Sequence, residues 1–209
     1  MKRILMTASA LLGVASAATF AGFSIQPAGD QKLNLQTGVT TLAQGGTATD
    51  AKNGLKVDAK MIEYRDGAYL KAKTATLTTA SGGVLTADQA NYDAPSGLLN
   101  ATGNLKFNDK NVKDLSADAI QVDSKRNLVI ARGNVKSAGP SLSANTVVVD
   151  YSGRRAVMYG NYKYAYGRTK LSNAQPGATL FVTWNAQGQP QATTRPAPDQ
   201  LAPFKAYLK

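Results

Sequence analysis

The chain has 209 residues, of which 43% are hydrophobic and 18% charged, with 19 Gly and 8 Pro, so it is globular and long enough for one domain with a sizeable core. Cys and His are both absent, which excludes disulfides, Cys or His metal sites, Cys nucleophiles and imidazole bases. A formal net charge of +11 points to an anionic partner.

At the N-terminus Lys2 and Arg3 precede an uncharged, largely apolar stretch over residues 4–14, and Ala15-Ser16-Ala17 has the small-x-small form of a signal-peptidase site. Residues 1–17 read as an export signal, and its removal takes the net charge from +11 to +9. The expected location is periplasmic; the alternative is an uncleaved N-terminal segment anchored in the inner membrane. No Cys follows the apolar stretch, so lipid cannot be attached through one. The charge is uneven: residues 1–124 hold 12 Lys/Arg against 11 Asp/Glu, whereas residues 125–209 hold 12 against Asp150 and Asp199 alone. Export makes an anionic lipid or glycan the expected partner rather than nucleic acid.

A strand is expected near Lys32 to Leu42, and then one pattern recurs four times in the same phase. Its copies run Val57-Asp58-Ala59 to Arg65, Leu85-Thr86-Ala87 to Asp93, Leu115-Ser116-Ala117 to Asp123, and Leu142-Ser143-Ala144 to Asp150, with starts 28, 30 and 27 residues apart. A turn follows each copy, and Gly103-Asn104, Gly133-Asn134 and Gly160-Asn161 stand ten residues after the terminal Asp of the last three. Each unit therefore reads as strand, turn, strand. Within copy three Leu115 and Ala117 share one parity while Ile120 and Val122 share the other, and every copy repeats the switch. A bend between the pairs lets both face one interior, as where a strand passes from one sheet of a sandwich to the other. On the return strands the inward set is Leu99, Ala101 and Leu105, then Val129, Ala131 and Val135, then Ala156, Met158 and Tyr162, with the Gly of Gly-Asn serving the backbone. The first copy lacks Gly-Asn, and Lys71 and Lys73 fall at inward positions, so its return strand is shifted by one, with Leu70 and Ala72 inward. A last strand is expected from Ala178 to Trp184. The domain is expected over residues 18–189, followed at 190–209 by an extended tail containing Pro190, Pro196, Pro198 and Pro203.

The recurring L-x-A-x-x-h-x-h-D, turn, A-x-G-N-h unit in residues 85–105, 115–135 and 142–162 resembles the OstA-like family of periplasmic lipopolysaccharide-transport proteins, the LptA and LptC type. The likeness covers residues 57–166. It implies an all-β fold, an open, V-shaped, two-sheet β jelly roll made of stacked hairpins, whose sheets enclose an apolar groove for acyl chains. It also implies lipopolysaccharide or another anionic envelope lipid as cargo, edge-strand pairing with other OstA-like transport components, and head-to-tail homo-oligomers that bridge towards the outer membrane.

On this reading the groove is lined by Leu99, Ala101, Ile120, Val122, Val129, Val147, Val149, Met158 and Tyr162. Lys125-Arg126 and Arg154-Arg155 occupy equivalent turns and could form a headgroup rim, or else a solvated edge. Tyr162, Tyr164 and Tyr166 alternate along one strand, as a groove mouth or an ordinary aromatic face would. Asp93, Asp123 and Asp150 precede turns and are expected to cap backbone N–H groups, and Asp88 and Asp118 recur with the repeat. No nucleophile and base form a set, so the chain reads as non-enzymatic, without cofactor or metal. The second functional reading is a structural envelope protein with a closed, dry core and a basic surface that binds an acidic wall or surface polymer.

Overall fold

The computed structural model describes residues 18–208 apart from residues 21, 52, 53, 81 and 111, with only the backbone described at residues 18–20. The expected export signal at residues 1–17 lies outside the described residues. The described chain is all-β. Its strands are Ala18–Phe20 (β1), Phe23–Pro27 (β2), Gln31–Asn34 (β3), Val39–Leu42 (β4), Gly46–Asp50 (β5), Leu55–Arg65 (β6), Tyr69–Thr79 (β7), Val84–Asp93 (β8) and Leu98–Thr102 (β9). They continue as Lys106–Asn108 (β10), Ala119–Asp123 (β11), Leu128–Ala138 (β12), Ser141–Asp150 (β13), Arg155–Tyr159 (β14), Tyr162–Tyr166 (β15), Thr169–Asn173 (β16), Thr179–Trp184 (β17) and Pro190–Thr193 (β18).

All pairings are antiparallel, and they form one open sheet folded into two layers, an open V-shaped jelly roll. The long strands β6, β7, β8, β12 and β13 pass through both layers. Their ends at the Asp-containing turns join β4, β9, β11 and β14 in the first layer, where β14 in turn pairs with β17. Their other ends join β5, β10 and β15 in the second layer.

Gly-Asn makes the bend. Gly103 and Asn104 (φ 75° and 45°), Gly133 and Asn134 (72° and 49°) and Gly160 and Asn161 (69° and 43°) are consecutive left-handed pairs, a backbone that only Gly and Asn adopt readily. One extra residue is absorbed there: Arg132 pairs with Thr146, but the next pair is Val135 with Ala144. The opposite strand clamps the bend. The Asn134 Nδ2 donates to Asp118 Oδ2 at 2.9 Å, the Asn104 Nδ2 donates to Asp88 Oδ2 at 2.8 Å, and the Asp118 and Asp88 N–H groups donate to the Gly133 and Gly103 carbonyls. The recurring Asp88 and Asp118 are thus parts of the bend. In the first repeat Thr74 alone turns left-handed (φ 50°) and no extra residue is inserted at the bend, so the return strand is offset by one from the other copies and Leu70 and Ala72 are buried, as the sequence implied.

The parity switch has its expected effect: Leu115, Ala117, Ile120 and Val122 all belong to one hydrophobic core, as do Leu142, Ala144, Val147 and Val149. Two expectations need correction. The stretch from Lys32 to Leu42 is a hairpin, not one strand, because Asn34 Oδ1 accepts the N–H groups of Gln36 and Thr37 and turns the chain. The tail is neither extended nor detached. Pro190–Thr193 pairs with β17, and Pro198–Leu201 and Ala202–Tyr207 form a short α-helix and a 3-10 helix (α1 and η1) whose Phe204 is fully buried. The docking ground is apolar: Ile130, Val148, Val157 and Phe181 form one cross-strand row on the outer face of the first layer, and Leu201, Phe204, Tyr207 and Leu208 cover it. In the N-terminal repeats the same row holds Glu63, Lys71, Asn91, Asn100 and Gln121, which need no cover.

Candidate functional site

Two cross-strand rows on the inner face of the first layer gather the residues assigned to a groove. Next to the bend run Ala101, Ile120, Ala131, Val147 and Met158, and one step nearer the turns run Leu99, Val122, Val129, Val149 and Ala156. Tyr162 faces the same interior from the second layer. Alternation within each strand puts these side chains inward, and the bend lets the second layer contribute Leu105, Val135 and Ala144 opposite them.

Closure of the interior is graded. Ala101, Ile120, Ala131, Val147, Met158 and Tyr162 are at most 6% exposed, whereas Val122, Val129 and Val149, farther from the bend, are only half-buried. In the second layer Phe107 and Leu142 are likewise half-buried away from the bend. The interior is therefore packed next to the bend, while in the outer row, whose ends Leu99 and Ala156 are also buried, the three central valines are partly exposed. Nearer the N-terminus an edge-to-face contact at 5.7 Å joins Phe23 on β2 to Tyr92 on β8, linking the two layers across the wide side. Burial, with the charges of Asp50 and Asp93 beside it, raises the Tyr92 pKa.

The basic turns lie on one edge of the first layer, since β12 pairs with β13, but most of their charge is spent within the fold. Arg126 Nη1 donates to Asp123 Oδ2 at 2.7 Å, and Arg155 Nε donates to Asp150 Oδ2 at 2.8 Å while its guanidinium lies 5.5 Å from the centre of the Phe204 ring. Lys125 Nζ donates to the Pro95 carbonyl at 2.6 Å, and Arg154, exposed, takes the left-handed turn position (φ 48°) that Gly97 and Asn127 take in the preceding repeats. Arg126 and Arg155 are paired with carboxylates, and Lys125 lies near enough to Asp93 to help lower that carboxyl's pKa, so Arg154 is the cation at this edge with no ion pair among the described residues. Arg155 instead helps to seat the tail, and the Tyr207 hydroxyl reaches Asp123 Oδ2 at 3.4 Å.

The turn aspartates cap as expected. Asp93 accepts the Ser96 N–H and hydroxyl, Asp123 Oδ1 the Arg126 N–H at 3.0 Å, and Asp150 Oδ1 the Gly153 N–H at 2.9 Å. Burial pushes the pKa values of Asp123 and Asp150 up. For Asp123 the guanidinium and N–H of Arg126 outweigh that, and for Asp150 the Gly153 N–H, the Ser152 hydroxyl and Arg155 do, so both end below the ordinary carboxylate range.

Tyr162 and Tyr164 are buried and Tyr166 is 48% exposed, so the aromatic strand is mainly core. Burial raises the pKa of both inner tyrosines, and the Tyr164 hydroxyl has no hydrogen-bond partner among the described residues. The reading by residue type missed the tail anchor. Its signal was present: Leu201, Phe204 and Leu208 recur at helical spacing, and Val147-Val148-Val149 and Leu128 to Ala131 are unbroken apolar runs, the mark of strands covered on both faces. No family model matches this chain, and no curated protein does either.

Proposed function

We propose that this protein is a non-enzymatic lipid carrier of the cell envelope, holding the acyl chains of lipopolysaccharide or a similar anionic lipid between the two layers of the V. The observation that carries the reading is the graded interior. Val122, Val129 and Val149, at the middle of the outer row, are only partly buried and leave apolar surface that an acyl chain can cover, at about 25 cal/mol per Å2 removed from water. The export signal at residues 1–17, the excess of basic residues over acidic ones after residue 124, and the likeness to OstA-like transport proteins support a periplasmic carrier of an anionic lipid. Lys125 and Arg154 are the headgroup contacts this reading favours. Among the described residues β1, β3, β16 and β18 each pair on one side only, and such edges suit pairing with related transport components or with further copies, towards the outer membrane.

Displacement of a fluorescent fatty acid from the mature chain tests the proposal. Val122→Glu and Val149→Glu place a carboxylate on the inner face and should abolish binding, while Gln121→Glu, on the outer face of the same strand, should leave it unchanged. Binding retained in both valine variants, with unchanged circular dichroism, would show that the cleft is not the site.

A further inference from the structure

The outer face of the second layer, opposite the apolar interior, carries a feature the lipid reading does not use. Lys136 pairs with Ser143, Ser143 with Lys163, and Lys163 with Ser172. A bridge joins Lys136 to Ser116, and the Phe107–Leu115 bridge sets Lys106 beside Ser116. Lysine and serine therefore alternate in single file across the strands: Lys106, Ser116, Lys136, Ser143, Lys163, Ser172. Their neighbours Leu105, Leu115, Val135, Ala144 and Tyr162 are in the core, so alternation turns the file outward. The three lysines and Ser172 are exposed and the other two serines half-buried. None of these lysines has an ion-pair partner among the described residues. The nearest acidic residues along the chain are Asp114 and Asp118, which flank Ser116, and Asp109, three residues from Lys106; Asp118 is engaged by Asn134. Beyond the last lysine the file runs into a shallow depression lined by Ser141, Lys163, Lys170 and Ser172.

Strands about 4.8 Å apart put these ammonium groups roughly 10 Å from one another, one for each two-stranded repeat. We propose that this file is a binding track for a linear acidic polysaccharide lying across the strands, with one anionic group per disaccharide meeting each lysine and the intervening sugar hydroxyls meeting the serines. The spacing and the single file select this occupant. Duplex DNA carries a charge about every 1.7 Å of its axis, far denser than the track. A membrane surface matches a broad basic patch, whereas the next row on this face carries Ala138, Ser141 and Ala165 before Lys170. In the N-terminal repeats the same row holds Asp58, bonded to Lys56 and Thr47, so the track is confined to the basic half of the chain.

Fluorescence anisotropy with labelled hyaluronan oligosaccharides, which carry one carboxylate per disaccharide, tests the inference on the mature chain. Lys106→Gln, Lys136→Gln and Lys163→Gln together should weaken binding at least tenfold, and an equal loss of charge off the track, Lys32→Gln, Lys60→Gln and Lys73→Gln, less than twofold. The swap Lys136→Ser with Ser143→Lys keeps the charge and breaks the period, and should weaken binding severalfold. Absence of hyaluronan binding by the unaltered chain, equal losses in the two triple variants, an unaffected swap, tighter binding of duplex DNA, or tighter capture of phosphatidylglycerol vesicles that the track triple variant abolishes and Val122→Glu leaves intact would each overturn the proposal.

Discussion

Gly133 has φ 72°, and a Cβ there would stand 2.2 Å from Asp118 Oδ2, so conformation and space both disfavour any other residue at this position. Gly133→Ala should cost about 2 kcal/mol by urea denaturation, combining left-handed strain with displacement of the Asp118 carboxylate. The Gly-Asn repeat was legible in the sequence because it sits between two inward runs. Its partnership with Asp88 and Asp118 was not, because the pairs lie 16 residues apart and meet only once the extra residue is placed. The turn aspartates make a prediction about acid. Asp123 and Asp150 are held below their ordinary values, so the stability they contribute is present above the unfolded-state value near pH 3.9 and is lost as pH falls through the folded values. Stability should therefore be nearly level from neutrality to about pH 4 and fall below it. Asp123→Asn with Asp150→Asn should show a shallower acid fall, and an unchanged profile in that variant would remove these carboxylates from the account.

Among elements, the tail departs most from its expected form. Proline count suggested extension, yet Pro198 opens α1 and Pro203 lies in the first turn of η1, positions where the missing N–H costs nothing. What decides the tail's position is the outer row of Ile130, Val148, Val157 and Phe181, which would otherwise be an exposed apolar face. Phe204 packs edge to face on Phe181 at 6.2 Å and beneath Arg155, so Phe204→Ala should cost about 3 kcal/mol. Thermal unfolding and binding of an apolar dye give the reading: a lower Tm with dye uptake at room temperature is expected, and neither change would mean that the tail rests on the sheet without contributing to it.

For the whole molecule, the sequence reading captured the layered plan because hydrophobic parity repeats with the hairpins, and four inward pairs switching in step leave few other ways to share one interior. The lysine file was hidden from that reading. Its members come from separate strands, loop bridges and a shifted register, and only the assembled second layer sets them in line. The same assembly makes the interior uneven, packed at the bend and only partly buried at Val122, Val129 and Val149, and the proposed distinction between a carrier and a closed structural core rests on that unevenness. Native mass spectrometry of the protein purified from its own cell envelope tests that distinction most directly. The account predicts a population heavier than the bare chain by the mass of an acylated lipid, released under collisional activation and lost in Val122→Glu; bare chain alone, from both the unaltered protein and the variant, would contradict it.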